Sequence, residues 1–372
     1  MSKAMILSPD HARQLVAQHG SPLLLVSTNT LQQRYRILAD LLSRVGLYYA
    51  VKSNPHPAVL KALAEAGSGF DVASEAELDA VLKYGVASER IIYTNPIKPM
   101  GAIGRLSEKG VATYFYDNDL ELEKIARDCP GVRVILRINV INPNCVVDLG
   151  QKFGCHVSAA EPLLMKAIQL GLHPAGLSFH VGSQTSIPQP YADTISACKN
   201  IFNHMALQGL PLEVLDIGGG FPIPYKANTM PIDAFCKPIA AALDRYFPNT
   251  KIIAEPGRFI SGPAAQLVTR VIGKETRNGI VWYYLDDGIY GSFSGCIFDH
   301  ASYQFTSLNE GELRPCVLAG PTCDSFDIIS SGEYLPPMEI GDILIAENMG
   351  AYTNASATTF NGIPLTKVVE IN

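Results

Sequence analysis

The 372-residue sequence predicts an α/β protein: a (β/α)8 barrel followed by a smaller, mostly β domain. Three observations predict it. Between residues 47 and 254 eight short apolar runs recur, most of them followed by helical periodicity, and alternating β and α units imply a parallel sheet. Eight such units in roughly 210 residues is the size of a barrel of this kind. After about residue 262 the long helical patterns stop, and strand-like runs follow one another between turn signals.

Residues 10–19 read as a short helix stopped by Gly20 and Pro22, and 23–26 as a strand. Thr28 or Asn29 caps an amphipathic helix through Leu31, Tyr35, Leu38 and Leu42. The barrel strands are expected at 47–52, 69–73, 90–94, 112–116, 133–138, 176–181, 213–217 and 251–254. Helical runs between them cover 57–66, 75–84, 119–127, 159–170, 191–207 and 232–246. A doubly wound open sheet is the alternative, but Gly218-Gly219-Gly220 lacks the G-x-G-x-x-G spacing such a sheet uses for dinucleotides. Later strands are expected at 266–273, 280–285, 314–318, 342–346 and 365–371. Asp287-Gly288, Asn309-Glu310-Gly311, Ser331-Gly332 and Asn361-Gly362 read as the turns between them. The expected division is a barrel over 24–262 and a β domain over 1–23 and 263–372.

Composition excludes several classes. The net charge is −6 and no basic run is present, so there is no electrostatic footprint for nucleic acid or an anionic membrane. No apolar run reaches the ~18 residues of a membrane helix. The eight cysteines form no CxxC pair, and no histidine cluster has ligand spacing, so no metal site is expected. The stretch Met1 to Leu7 is too short for a secretory apolar region, which points to a cytoplasmic protein with reduced thiols.

The polar residues fall where a barrel enzyme needs them, at the C-terminal ends of the strands. The first apolar run, Leu47-Tyr48-Tyr49-Ala50-Val51, runs straight into Lys52. A lysine drawn out of water has a lowered pKa and becomes a nucleophile for a carbonyl, hence a Schiff-base former. The ordinary alternative is a surface lysine with its head in water. The second strand carries Asp71 with Glu77 beyond it, and the fifth and sixth hold Arg137 and His180 inside apolar runs. The seventh ends in Asp216-Ile217-Gly218-Gly219-Gly220, and the eighth in Glu255-Pro256-Gly257-Arg258. Singly, a core histidine, an Arg137–Asp71 ion pair or a glycine turn would account for each of these. Together they describe a chemistry. Three glycines let backbone N–H groups approach a phosphate, and Arg258 adds charge. Glu255 can hold a proton on a ring nitrogen, and His180 can stack on a flat ring. With Lys52, that set describes pyridoxal phosphate.

The motifs YAVKSN, GFDVASEAE, RIIYTNP, FHVGSQ, LDIGGGFP, AEPGRF, DDGIYGSF, FDHA, GPTCDSFD and ENMGAYT, in this order, resemble the ornithine/diaminopimelate/arginine decarboxylase family of fold-type III pyridoxal phosphate enzymes, whose barrel is shared with alanine racemase. The resemblance covers nearly the whole chain. It implies that Lys52 carries the cofactor, that Glu255 pairs with the pyridine nitrogen and that His180 stacks on the ring. It implies that Ser183, Gly218, Gly219, Gly220, Gly257, Arg258 and Tyr352 hold the phosphate, with Asp71 and Arg137 supporting lysine and cofactor.

Gly320-Pro321-Thr322-Cys323-Asp324 looks like the ornithine decarboxylase form, where diaminopimelate enzymes usually carry Cys-Glu-Ser. The resemblance then implies a homodimer with shared active sites. In it Cys323 protonates the substrate carbon in the partner's site, and Asp299 and Asp324, beside Phe298, take the distal ammonium. A free ammonium calls for acceptors and negative charge, which aspartates supply. The expected reaction is decarboxylation of a basic diamino acid, L-ornithine to putrescine in the first place, with lysine, diaminopimelate, arginine or a pathway-specific diamino acid as alternatives. Residues 139–150 depart from the usual ornithine-type segment, a short acidic stretch with Leu-Ser, and bear on substrate choice. Gln184 after HVGS and Ser325-Phe326 are smaller departures. Racemisation on the same barrel would need a tyrosine base opposite the lysine. A non-catalytic binding homologue is the rival of another class, and the presence of Lys52, Asp71, Cys323 and Asp324 argues against it.

Overall fold

The computed structural model describes residues 7–225 and 229–372. Eight parallel strands close a barrel: β2 (Val45–Ala50), β3 (Gly69–Val72), β4 (Ile91–Tyr93), β5 (Thr113–Tyr116), β6 (Arg133–Ile138), β7 (His173–Phe179), β8 (Val214–Asp216) and β9 (Lys251–Ala254), with β9 pairing back to β2. Each expected barrel strand is present within a few residues of its expected place. Tyr48, Ile92, Phe115, Ile135, Ala175, Val214 and Ile253, one from each of seven strands, pack into a single buried cluster. Burial of that kind is the dominant favourable term in holding the strands in register.

Some of the helices between strands start where the sequence supplies a cap. Ser74 accepts from the Glu77 amide at 3.2 Å to open the helix Glu75–Leu82, and Asn118 accepts from Glu121 at 3.0 Å to open Asp119–Asp128. Each satisfies a donor that the first helical turn leaves without a partner. A seven-residue helix, Ala102–Glu108, has no counterpart in the sequence reading; it opens on Gly101 with no side-chain cap.

The described residues fall into two compact units, one of residues 7–33, 223–225 and 260–372, the other of 34–222 and 229–259. The expected boundary at residue 24 therefore moves to residue 34. The cause is β1 (Leu23–Ser27), which pairs antiparallel with β10 (Ala265–Arg277) and parallel with β16 (Lys367–Ile371). Of the expected N-terminal part of this unit, 1–6 lie outside the described residues. β10 also pairs with β15 (Ile343–Ala346) through its first half and with β11 (Ile280–Leu285) through its second, and its register shifts between Val271 and Gly273. β12 (Phe305–Ser307) joins β15, and β13 (Arg314–Ala319) joins β11. Leu15 and Val16 of the helix Pro9–His19 pack on Leu23, Leu25, Val268, Ile343 and Ile345 to form the core here.

One expected turn is not a turn. Ser331-Gly332 lies inside β14 (Ile328–Leu335), which pairs with β13. Leu318 faces Ser330 while Cys316 faces Glu333, so β14 carries an extra residue at this point. The glycine that reads as a turn marks a β-bulge. All eight cysteines are free thiols. Among the described residues no helix is long and apolar enough to cross a membrane.

Candidate active site

Strand β2 ends at Ala50 and the chain tightens at once into a 3-10 turn, Val51–Ser53, that carries Lys52. Its ammonium lies 2.5 Å from Asp71 Oδ2. Asp71 is 1% exposed at the end of β3, and its other oxygen accepts from Thr94 Oγ1 at 2.5 Å. The sequence reading expects a lysine drawn out of water. The side chain is instead 40% exposed, and what sets it apart is a buried carboxylate in contact. Asp71 thus pairs with Lys52, not with Arg137. The Arg137 guanidinium lies over the Phe153 ring, 5.3 Å from its centre.

Beyond β7, His180 is half-buried, and its Nδ1 accepts the Gly182 amide at 3.0 Å. Burial first, then the charges of Arg137 and Lys52, push its pKa well below the ordinary 6.5. The ring is therefore neutral at physiological pH, an apolar face available for stacking.

The three glycines after β8 form a cradle. Gly218 and Gly220 have φ of +64° and +116°, where side chains are strained. A Cβ on Gly219 would come within 2.5 Å of the Glu255 carbonyl and 3.2 Å of His180 Nε2. Tyr191, wholly buried, fixes the cradle from behind by donating to the Gly219 carbonyl at 2.8 Å. Beside it Arg258 donates to Ser183 Oγ through Nη2 at 2.9 Å and Nε at 3.3 Å. Gly257 sits against the lysine turn, where a Cβ would meet that of Ser53 at 2.9 Å. Glu255, 7% exposed, is hydrogen-bonded through its carboxyl to that of Asp216, and burial followed by the Asp216 and Asp71 charges raises its pKa well above the usual range.

The barrel therefore brings together Lys52, Asp71, His180, Ser183, Gly218, Gly219, Gly220, Glu255, Gly257 and Arg258, with Arg137 close enough to act on His180. The sequence reading missed Thr94, Tyr191 and Asp216 as members of this site. Asp216 stands at the end of an apolar run like the others; what the run does not reveal is that its carboxyl meets Glu255.

The remaining expected residues lie in the β unit. Cys323 is exposed, its amide donating to Asn361 Oδ1 at 3.1 Å. Asp324 accepts from the Tyr290 hydroxyl, and that hydrogen bond, with a second from the Phe326 amide, lowers its pKa below the ordinary 3.8. Tyr290, part of the DDGIYGSF motif but not singled out in it, is stacked on Phe360 with centroids 4.4 Å apart. Phe298 is 64% exposed at the end of a one-turn helix, Gly295–Phe298, with Asp299 next to it. Tyr352 has φ of +54°.

These features fit pyridoxal phosphate: a paired lysine for its aldehyde carbon, a glycine cradle with an adjacent guanidinium for its phosphate, a neutral imidazole for its ring face and a buried carboxyl for its ring nitrogen. Fold and site together define a pyridoxal phosphate enzyme of the barrel type. The comparisons with known proteins agree. A family model described as "Pyridoxal-dependent decarboxylase, pyridoxal binding domain" matches residues 28–262. The chain is 38% identical over 364 residues to a lysine/ornithine decarboxylase of Selenomonas ruminantium, covering 98% of this chain and 93% of that one. Among solved structures, lysine decarboxylase from Selenomonas ruminantium superimposes with a TM-score of 0.95 at 38% identity, covering 99% of this chain and 97% of that one. A lysine/ornithine decarboxylase complexed with putrescine from Vibrio vulnificus gives 0.93 at 41% identity, with 99% of both chains covered. The chain belongs to the pyridoxal-dependent decarboxylases, and its cofactor is pyridoxal phosphate.

Proposed function

We propose that this chain decarboxylates a basic diamino acid, L-ornithine to putrescine and CO2 in the first place, as a cytoplasmic homodimer with shared active sites. When bound, pyridoxal phosphate supplies the sink for the electron pair freed as CO2 leaves the α-carbon. Lys52 holds the cofactor's aldehyde carbon, and Asp71 fixes the lysine head. Glu255 holds a proton on the ring nitrogen, and His180 lies against the ring. Gly218 to Gly220, Ser183, Gly257, Arg258 and Tyr352 grip the phosphate, with Arg137 steadying the neighbourhood of His180. Cys323 donates its thiol proton to the α-carbon in the other subunit's site, which completes the exchange of a carboxylate for hydrogen. Asp324 and Asp299, beside Phe298, receive the distal ammonium.

The observation that carries the substrate class is Asp324. Its hydrogen bonds from Tyr290 and the Phe326 amide keep it ionised, and an ionised carboxylate suits an ammonium and repels a second carboxylate. Lysine is the second reading, favoured by relatives that act on both lysine and ornithine. The test is product analysis by mass spectrometry on purified holoenzyme given equimolar L-ornithine, L-lysine, L-arginine and meso-diaminopimelate. Dominant putrescine supports the first reading and dominant cadaverine the second. Preferred decarboxylation of diaminopimelate would refute the acidic-tail assignment.

A further inference from the structure

Asp216 ends β8 with its carboxyl completely buried. Ser178 Oγ, on the neighbouring β7 and directly in register with it, donates to Oδ2 at 2.9 Å. The Gly218 amide donates to Oδ1 at 2.9 Å. Two fixed donors favour the ionised form of a carboxyl. The third partner is Glu255, whose amide in turn donates to the Gly218 carbonyl at 2.8 Å, so backbone and side chain lock the two residues together. Two buried carboxyls in contact cannot both ionise, because like charges at that range share a proton. Glu255 has no such pair of donors from Ser178 and Gly218, so it is the donor and Asp216 the acceptor.

The other ionisable groups that face this pair are Asp71 from β3, Lys52 from the turn after β2, Tyr48 on β2 and Tyr191, whose phenol burial keeps neutral. Asp71 and Lys52 are paired with each other at 2.5 Å and largely cancel. Tyr48, whose own pKa is raised above 10, is neutral. Asp216 is left as the net charge that acts on Glu255.

We propose that Asp216 is a positioning residue for Glu255: the two carboxyls carry one proton between them, and Asp216 lends its charge, through Glu255, to the cofactor's ring nitrogen. The pair keeps its one proton and its single negative charge, and that charge favours a separate proton on the ring nitrogen. This rests on the assignment of Glu255 to that nitrogen, and the experiment separates the two claims.

Apoprotein is reconstituted with pyridoxal phosphate labelled with 15N in the ring, and the ring resonance is followed against pH in wild type, Glu255→Gln, Asp216→Asn and Ser178→Ala. Asparagine keeps the shape of Asp216 and its bond from Gly218 but removes the charge. The midpoint for loss of the ring proton falls in Asp216→Asn by about one pH unit or more, as expected when a nearby charge is removed. Ser178→Ala keeps the charge and removes a donor, so Asp216 becomes more basic and the midpoint stays at or above that of wild type. An unchanged midpoint in Asp216→Asn overturns the proposal. So does a fall in Ser178→Ala, which would mark a merely structural role and which still reads out if Asp216→Asn fails to fold. A wild-type midpoint in Glu255→Gln would overturn instead the assignment of Glu255 itself.

Discussion

Replacing Lys98 by methionine tests how the rim of the barrel is held. Lys98 lies in the loop after β4 with its side chain wholly buried, which lysines almost never are without partners. Its ammonium donates to the carbonyls of Asn95 at 3.2 Å, Pro96 at 3.1 Å and Phe115 at 2.5 Å, and lies 3.0 Å from Glu121 Oε1. Glu121 is 3% exposed and also pairs with Lys124 at 2.6 Å. Lys98→Met fills the space but takes the ammonium away from three carbonyls and from Glu121, which keeps only the residue-98 amide and Lys124. Removing one partner of a buried pair costs about 3–5 kcal/mol. The measurement is urea unfolding followed by helical circular dichroism, a signal that the barrel's helices dominate.

The pH dependence gives a second arm with a definite sign. Burial outweighs Glu121 and pulls the Lys98 pKa from 10.5 to about 8. Below 8 the group is charged in both states, and its charging cost in the fold is fully present. Between 8 and 10.5 the unfolded chain binds more protons than the folded one, so wild-type stability gains from this group as pH rises. The gain approaches roughly 3 kcal/mol from the size of the shift. Methionine cannot titrate, so the gap between wild type and variant widens across that window. A variant as stable as wild type at neutral pH, or a gap that narrows as pH rises, would refute the account.

Three further outcomes are expected. Arg258→Lys loses the two-nitrogen grip on Ser183; with about 1.5–3 kcal/mol for a hydrogen bond to a charged group, cofactor retention weakens roughly 10- to 100-fold in a fluorescence titration of apoprotein. Gly219→Ala sets a methyl 2.5 Å from the Glu255 carbonyl; visible absorbance from bound cofactor is lost while helical circular dichroism stays, and retention of full absorbance would show that the cradle can yield. Cys323→Ala touches an exposed side chain; the unfolding free energy moves by no more than about 0.5 kcal/mol, while kcat/KM drops by about two orders of magnitude or more if the thiol is the acid.

The barrel was legible because its code is local. Each strand is an apolar run short enough to be bounded by turn residues, and the site residues of the barrel interrupt such a run or follow directly on it. Lys52, Asp71, His180 and Glu255 can be found that way with no knowledge of which strand lies beside which. The misses share the opposite property. Asp216 ends its run as visibly as Glu255 does, yet its importance lies in a contact with the next strand, set by a register in which Ser178 faces Asp216 and Asp216 faces Ile253. Tyr290 gains its meaning from Asp324, and Lys98 from a glutamate on the following helix. Ser331-Gly332 looked like a turn because glycine permits both a turn and a bulge, and only pairing with β13 decides between them. Strand ends thus announce which residues face the chemistry, whereas closure of the barrel decides which of them share a proton. For that reason Glu255 cannot be understood from the AEPGRF segment alone: after burial, its proton affinity is raised most by a carboxylate that the sequence places on another strand.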